Sequence, residues 1–541
     1  MHTHRSQSRM PGQPRAGRSN RNARGVLRGA LFAVAAFGML SAAAAEEVIR
    51  RGLGPEPDSL HIHQAQGLAA VNLLRDLREG LVTFDSAGQP AAGAAESWEV
   101  LDGGRLYRFK IRPDARWSNG EHVLAADFVR GLRRAVDPFQ AAVTAGLLSP
   151  IESAEQVLAG AAPPDSLGVA ATSERLLEIR LARPTPWFLE VLAHPVSFPL
   201  HDREGDVAGL EVNGAYQLAS WTPNAIIRLR ENPHFHAADS VAMPVVEYFP
   251  IEDASAELSR YRAGELHITE TIPAGRHDWL EENLHNDLRV TPYLGSFWLN
   301  INLRHRVLGH SADLRRALAL AIDRDILTRV VIGAGEQPAF GLVPPGLGAY
   351  EPAVMKEAGL SQQEREALAR ELFARSGAGA AGPLRLQLRY NTSNVHRRMA
   401  VAVAAMWNQV LGVETELINE EWKVFVNNRR LGAVTEVFRG GWIADYADPT
   451  SFLDLFRGGS EMNFTAFKEP AYDELLDEAE APTGMERYEF LQRAEALLLQ
   501  EMPAIPLYYY VSRHLVKPGV LGFVDNLRDV HLSRYLSLEQ P

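Results

Sequence analysis

The sequence predicts an α/β protein of more than one domain, on three observations. Residues 106–111 and 384–390 alternate apolar and polar side chains, as half-buried strands do. Residues 125–135 and 486–501 have the spacing of amphipathic helices, and each run is followed within three residues by a proline. Strands and helices mixed in this way are typical of α/β lobes, and 541 residues exceed the usual size of one domain.

Two more helices follow from local signals. Ser361 and Glu364 have capping-box spacing, which predicts a helix that ends near residue 376, and residues 397–411 form a second helical run. Residues 377–382 match the dinucleotide-binding pattern G-x-G-x-x-G, but they follow a helix and precede a strand. A phosphate-cradling turn needs the reverse order, so we interpret this segment as a loop that ends the helix.

The first 45 residues have the pattern of a secretory signal peptide. Residues 1–29 carry seven arginines and no acid, residues 30–40 are apolar, and alanines occupy positions 43–45. A transmembrane anchor is the alternative, but the uncharged stretch has only 17 residues and is rich in alanine. We therefore expect cleavage after Ala45.

Composition narrows the functional class of the mature chain. Loss of the seven leader arginines changes the formal charge from −12 to −19, which disfavours nucleic acid and anionic membranes as partners. The chain has no cysteine, so it has neither disulfides nor a lipid-modified N-terminal cysteine. We expect a periplasmic protein that is not a lipoprotein, does not insert into the membrane and is a monomer.

No motif for catalysis or metal binding stands out. The Walker phosphate-binding loop and the H-E-x-x-H zinc-binding pattern are absent from the sequence, and no carboxylate pair has a spacing that marks acid–base chemistry. The pairs His61/His63 and His234/His236 could bind a metal if each lay in a strand, but surface or core histidines are the favoured interpretation. We expect no enzyme activity, no metal and no cofactor.

The segment 441–449, Gly-Trp-Ile-Ala-Asp-Tyr-Ala-Asp-Pro, is the most informative part of the chain. It places Asp445 between Trp442 and Tyr446 among turn-forming residues. An acid with apolar walls suits the binding of a cation away from bulk water. A turn or capping role for Asp445 is the alternative, because Asp448 and Pro449 indicate a turn nearby.

This segment and several others resemble the bacterial oligopeptide-binding proteins, the soluble receptors of peptide-importing ABC transporters of the peptide/nickel family. The similar blocks run in family order from about residue 54 to 517. They are residues 248–252, 260–265, 320–326, 390–393, 421–423 and 508–511.

The resemblance implies a two-lobe periplasmic binding protein fold of the class II type, with a hinge and an extra inserted α/β domain. We expect residues 1–45 to be the signal peptide and 79–210 the extra domain. Lobe II would be 294–511. Lobe I would combine 46–78, 211–293 and 512–541.

The resemblance also implies how a peptide is held. Asp445 would bind the α-ammonium group and Arg439 the carboxylate, with Arg429 and His396 near the peptide's C-terminal end. An internal salt bridge is the alternative for Arg439. For Arg429 the alternative is a solvated helix face shared with Arg430.

The peptide backbone would be bound as an added strand, at an edge formed by residues 296–300 or by Gly440 and Gly441. Trp422, Trp442 and one of the tyrosines 508–510, with Tyr509 chosen, would line side-chain pockets.

The position that matches an acidic residue in relatives is Gln66, which puts a preference for lysine-containing peptides in doubt. The expected function is the binding component of an oligopeptide importer whose partners are an inner-membrane permease and its ATPase subunits. Murein peptide, dipeptide or metal-chelate receptors are alternatives within the family. A periplasmic hydrolase or a chaperone-like binder of extended segments is the alternative from another class.

Overall fold

The computed structural model describes residues 47–65, 67–140, 142–203, 210–481 and 483–539. The predicted signal peptide and Gln66 lie outside the described residues, so the structure adds nothing to either prediction. Among the described residues, no helix combines the length and apolarity needed to cross a membrane.

The described chain mixes strands and helices throughout. The strands are β1 Val48–Gly54, β2 Val82–Phe84, β3 Pro90–Ala92, β4 Ala95–Leu101, β5 Leu106–Ile111, β6 Val169–Ser173, β7 Leu176–Arg180, β8 Tyr216–Thr222, β9 Ile226–Glu231, β10 Val245–Pro250, β11 Leu288–Ile301, β12 Gln337–Pro338, β13 Arg385–Asn391, β14 Glu414–Glu420, β15 Val437–Ile443, β16 Ala504–Leu515, β17 Val520–Leu521 and β18 Ser537–Leu538. The helices are α1 Gly67–Leu77, α2 Ala125–Val136, α3 Ala154–Leu158, α4 Phe188–Val191, α5 Ala254–Arg262, α6 His277–Asn283, α7 Arg306–His310, α8 Ala312–Leu320, α9 Arg324–Ile326, α10 Gln362–Ser376, α11 Asn394–Leu411, α12 Trp422–Arg430, α13 Thr450–Leu453, α14 Pro470–Glu478 and α15 Gly484–Glu501.

Local signals in the sequence located several of these elements. β5 has the predicted bounds, and its inward residues Tyr107, Phe109 and Ile111 are buried while their neighbours are not. α10 begins after Ser361 with the predicted capping box, and Gly377 ends it at a φ of 68°. The G-x-G-x-x-G segment is therefore the predicted helix-ending loop, because a left-handed backbone there favours glycine.

Three larger sheets organise the chain. The first, in the order β1-β10-β9-β8, pairs β1 with β10 in parallel; the second, β4-β5-β7-β6, is antiparallel. The third has six strands in the order β12-β16-β11-β15-β13-β14, with parallel pairing only between β15, β13 and β14. This mixture confirms the α/β class.

Each large sheet carries its own apolar core. The core on the six-stranded sheet is built from residues between 294 and 508, and that on the β4–β7 sheet mainly from residues between 81 and 196. The core on the β1 sheet combines residues from 49–77, 198–268 and 516–536. The domain boundaries given above remain predictions.

Two long strands connect the core on the six-stranded sheet with the core on the sheet that contains β1. The chain passes between them once along β11 and once along β16, and these strands pair with each other at both ends. Leu288 lies opposite Leu515, and Asn300 lies opposite Ala504. This paired ribbon places the loop that follows β15 beside the C-terminal segment of the chain.

Candidate functional site

A cavity of about 240 Å³ surrounds Asp445, and we call it the Asp445 cavity. Its walls come from six separate parts of the chain, so it exists only in the folded protein. The lining residues are Leu68, Val71, Arg75, Phe84, Glu190, His194, Tyr293, Leu294, Ile443, Ala444, Asp445, Tyr446, Ala447, Arg528 and Val530.

Asp445 carries a charge that the described protein does not neutralise. It follows the end of β15, and its backbone N–H donates to the Oγ of Ser451 at 3.3 Å. Its carboxylate has no ion-pair partner among the described residues. Asp445 is exposed to the open cavity, but nearby protein atoms displace part of the water around its carboxyl, and this partial desolvation raises the pKa of the Asp445 carboxyl to about 6.

The turn role that was the alternative for Asp445 belongs to Asp448. The Asp448 carboxylate accepts hydrogen bonds from the N–H and the hydroxyl of Thr450, at 3.0 and 2.7 Å. Arg487 adds a buried bidentate pair, with both nitrogen–oxygen distances 2.8 Å. Asp448 therefore holds the turn, which leaves Asp445 free to face the cavity.

The two aromatic neighbours of Asp445 point into different places, contrary to the predicted pair of walls. Tyr446 lines the Asp445 cavity and stacks on Trp187, with ring centroids 4.7 Å apart. Trp442 lies in a second cavity, and its indole N–H donates to the Oγ of Ser451 at 3.2 Å. Ser451, which the sequence did not single out, accepts from both Trp442 and Asp445 and fixes the strand end between the cavities.

Two arginines line the Asp445 cavity. Arg75 lies 5.4 Å from the ring centre of Phe84, and its buried Nε has no hydrogen-bond partner in the described chain. The other arginine is held by groups other than Asp445. Arg528 forms an ion pair with Glu190 at 2.7 Å and also donates to the carbonyl oxygen of Gly88 at 2.8 Å. The second Glu190 oxygen accepts from the N–H of Ala447 at 2.7 Å. Glu190 therefore fixes the position of the 443–447 segment through Ala447 and neutralises the charge of Arg528.

The second cavity, of about 210 Å³, brings together five of the predicted site residues, and we call it the aromatic cavity. It is rich in aromatic rings and contains two arginines. The lining residues are Trp298, Asn300, Trp422, Arg429, Arg439, Gly440, Gly441, Trp442, Leu455, Phe456, Met462, Phe464 and Thr465.

Arg439 forms no internal salt bridge within the described parts of the chain. Its Nε donates to the Oδ1 of Asn391 at 2.8 Å, and its guanidinium lies 5.2 Å from the ring centre of Trp422. Burial lowers the pKa of Arg439, although the group stays charged. A buried guanidinium without a carboxylate partner favours an anionic ligand.

Arg429 faces inward, whereas its neighbour Arg430 is exposed, so the solvated helix face belongs to Arg430. The Arg429 guanidinium lies 4.2 Å from the ring centre of Phe464, and its buried Nε has no hydrogen-bond partner. Burial, and then the charge of Arg439, lower the pKa of Arg429 to about 10. The aromatic cavity thus contains two positive charges that lack a counter-ion in the described chain.

His396 lies beside this pair without lining the aromatic cavity. Its Nδ1 donates to the same Asn391 oxygen, at 2.9 Å, that accepts from Arg439. Burial, and then Arg439, lower the pKa of His396 to about 4, so the ring is neutral at neutral pH. Asn391, which the sequence did not single out as a site residue, orients both His396 and Arg439.

One of the two predicted strand edges is wrong. Residues 296–300 belong to β11, which pairs with β15 on one side and β16 on the other. β15, by contrast, pairs with β13 only at Val437 and Phe438. Its outer edge therefore has no strand neighbour in the described chain from Arg439 onward, beside Gly440 and Gly441.

Gly440 is needed at this edge for packing. A Cβ there would lie 2.4 Å from the indole nitrogen of Trp298 and 2.5 Å from the amide nitrogen of Asn300. We expect Gly440→Ala to lower the free energy of unfolding by about 1–3 kcal/mol, because the overpacked side chains must shift. Denaturant unfolding checks this; Gly459→Ala, with open space around its Cβ, is the control, and equal stability of both variants would contradict the packing role.

Tyr509 is separated from the other predicted residues. The side chains of Tyr508 and Tyr510 pack on Phe297, at 4.8 and 6.3 Å between ring centres, on the side of Arg439. Tyr509 faces the opposite side of the sheet, toward Gly341 and Glu495. Tyr510 is the tyrosine whose position suits a ligand at the β15 edge, since strand residues alternate between faces.

Comparisons with known proteins agree with this architecture. The family described as bacterial extracellular solute-binding proteins, family 5, matches residues 89–464. The periplasmic oligopeptide-binding protein OppA of Salmonella typhimurium is 36% identical over 504 residues, which cover 90% of this chain and 92% of that protein. The probable deoxycholate-binding periplasmic protein YgiS of Escherichia coli is also 36% identical, over 92% of this chain and 94% of its own length.

A solved structure has the same fold over nearly the whole chain. The Escherichia coli murein tripeptide binding protein MppA aligns with a TM-score of 0.79 at 32% identity, covering 92% of this chain and 99% of that one. The fold is thus the two-lobe α/β fold of periplasmic binding proteins, and its relatives are substrate-binding proteins rather than enzymes. The chain belongs to the bacterial extracellular solute-binding proteins of family 5.

Proposed function

We propose that this protein is the periplasmic peptide receptor of an ABC importer. The observation that carries the proposal is the separation of opposite charges that have no ion-pair partner in the described chain, on either side of one free strand edge. Asp445 lies in one cavity, which Arg75 also lines, and Arg439 and Arg429 lie in the other. A linear peptide in water is a zwitterion that has both complementary charges. The similarity of this chain to oligopeptide-binding and murein peptide-binding proteins supports the same proposal.

The spacing of the two charges suits a short extended peptide. Arg439 and Asp445 are six positions apart, which is about 20 Å of extended chain. A peptide added to the β15 edge would place its α-ammonium group at Asp445 and its carboxylate at the arginines. Main-chain hydrogen bonds would then be independent of the peptide sequence, so the expected ligands are peptides of a few residues with varied side chains.

Binding would close the two lobes about the β11–β16 ribbon and present the closed receptor to an inner-membrane permease with its ATPase subunits. The mature protein would act as a monomer in the periplasm. No covalent bond is made or broken in this function.

Mass spectrometry of ligand retained through purification tests the proposal. We expect a mixture of short peptides with free amino termini. Calorimetry with a tripeptide and its N-acetylated form is the matched comparison, and equal affinity for the two would contradict the role of Asp445. Turnover of the peptide during the titration would favour the hydrolase alternative instead.

The aromatic cavity also favours a second candidate ligand class, the apolar carboxylates. Its three tryptophans and two arginines match a rigid apolar body that carries one anionic group, and a relative at 36% identity is a probable deoxycholate-binding protein. Titration with deoxycholate, in competition with a tripeptide, distinguishes the candidates. Saturable deoxycholate binding that Arg439→Gln abolishes and Asp445→Asn leaves unchanged would favour the apolar carboxylate.

The pKa of Asp445 predicts the pH dependence of peptide binding. The carboxyl must be ionised to bind an ammonium group, and in the free protein its pKa is raised to about 6. Lowering the pH protonates Asp445 before binding, so affinity should fall about tenfold between pH 7 and pH 5. Calorimetry between pH 5 and pH 7 measures how peptide affinity changes with pH. If affinity declined equally in Asp445→Asn, the pH dependence would belong to another group.

A further inference from the structure

We propose that His514, Asp529 and His531 form a binding site for a divalent transition metal ion such as zinc. One ligand atom from each of the three side chains lies within 4.8 Å of the other two. His514 belongs to the end of β16, whereas Asp529 and His531 belong to the C-terminal segment. Two imidazoles and one carboxylate are a donor set that zinc and its first-row neighbours accept.

The hydrogen bonds set the orientation of His514. Its Nδ1 lies 2.8 Å from the carbonyl oxygen of Thr269, and a carbonyl can only accept, so Nδ1 carries a proton. The Nε2 atom therefore faces Asp529, at 2.7 Å from Oδ1, and donates its own proton to that oxygen. A metal ion bound at Nε2 would replace this proton, which would be released to solvent. Metal-binding histidines commonly donate their other ring N–H to a backbone carbonyl in this way, which fixes the ring and its tautomer.

The second imidazole distinguishes this cluster from a buried ion pair. The Nε2 of His531 lies 3.0 Å from the same Asp529 oxygen, and the His531 ring is stacked on Phe523 at 3.8 Å between centres. An ion pair between His514 and Asp529 would need no second ring aimed at that atom. The two imidazole nitrogens and the carboxylate oxygen lie within 4.8 Å of one another, which is close enough for one metal ion to contact all three after small side-chain shifts.

The backbone around the cluster aims Asp529 at the rings. Asp529 has a φ of 54°, in the left-handed region, within a turn in which the Asn526 side-chain oxygen accepts from the N–H groups of Arg528 and Val530. Arg51 donates to the carbonyl oxygen of His531 at 2.8 Å and fixes the other side of the segment. The donors are thus held in place by bonds outside the cluster.

The cluster has access to solvent and a further acid beside it. The Asp529 side chain is 20% exposed and each histidine 6%, so an ion can enter past the carboxylate. Glu270, whose carboxylate has no hydrogen-bond or ion-pair partner in the described ranges, interacts electrostatically with His514 and Asp529. Water can supply the fourth ligand of a tetrahedral ion.

Zinc chloride titrated into untagged mature protein tests the site by calorimetry. We expect one zinc ion per chain, at least a tenfold loss of affinity in His531→Gln and in Asp529→Asn, and an unchanged affinity in His201→Gln. His201 is the matched control because Glu121, His201 and Asp202 form the other described cluster of this type.

A second readout keeps the proposal testable if a variant does not fold. Zinc should raise the melting temperature of the wild-type protein, because it binds the folded state, and cobalt should give the visible absorption of a four-coordinate ion. Absence of zinc binding by the wild type up to about 0.1 mM would overturn the proposal. So would full affinity in folded His531→Gln, or loss of affinity in His201→Gln.

Discussion

Asp445→Asn should weaken the binding of peptides with a free amino terminus by about 100-fold or more. The substitution keeps the shape of the side chain but removes the negative charge, so the ammonium group enters the cavity without a counter-ion. Loss of one partner of a buried, hydrogen-bonded charge pair costs about 2–5 kcal/mol of binding free energy. Isothermal titration calorimetry with a tripeptide measures the change.

Two controls separate this effect from damage to the fold. Asp114→Asn removes an exposed carboxylate far from the cavities in sequence and should bind as the wild type does. In the free protein the raised pKa of Asp445 means that ionisation opposes folding as pH rises through about 6. Asp445→Asn should therefore not lower the unfolding midpoint at pH 7. Wild-type affinity in Asp445→Asn would remove the basis of the proposed function.

Arg487→Met should lower the free energy of unfolding of the protein by about 3–5 kcal/mol. Arg487 and Asp448 are both buried and joined by two hydrogen bonds of 2.8 Å, so the substitution leaves a buried carboxylate without its partner. Denaturant unfolding followed by tryptophan fluorescence measures the loss. The turn that positions Ser451 and Asp445 depends on the same carboxylate, so peptide affinity should fall as well.

A control variant and a compensating double variant test whether the effect comes from the Arg487–Asp448 pair. Arg493→Met removes an exposed arginine from the same helix, α15, and should change stability by less than about 0.5 kcal/mol. The double variant Arg487→Met with Asp448→Asn should recover part of the loss, because no charge is then buried alone. A loss in Arg487→Met no larger than in Arg493→Met would show that the pair does not stabilise the turn.

Local patterns were enough to place elements whose signals lie within a few residues. The alternation in β5 and the capping box of α10 depend only on neighbours in sequence, and both were located correctly. The edge assigned to residues 296–300 was wrong for the opposite reason. Alternation and glycine content describe one strand, whereas an edge is defined by the absence of a neighbouring strand. Residues 296–300 do have a second neighbour, β16, which lies more than 200 residues further along the chain.

The same limit applies to the candidate site. Asp445, Arg439, Arg429, Trp422, Trp442 and Gly441 were singled out from the sequence, and all six line one of the two cavities. Ser451 gave no signal, and Asn391 stood out only as part of the family-like block 390–393, because a hydroxyl or amide that orients another side chain has no characteristic spacing. Tyr509 was chosen among three adjacent tyrosines, and only the strand register shows that Tyr510 faces Arg439.

By itself, the sequence determined the α/β class, because alternation and helical spacing are local patterns of residue type. The family resemblance of its sequence blocks then implied which residues carry the opposite charges of the candidate site. The tertiary structure alone decided which charges remain uncompensated. Asp448 and Arg528 are neutralised by Arg487 and Glu190, whereas Asp445 and Arg439 have no ionic partner in the described chain. The physical reason is that compensation of a charge is a matter of distance, and folding brings together partners that lie tens or hundreds of residues apart.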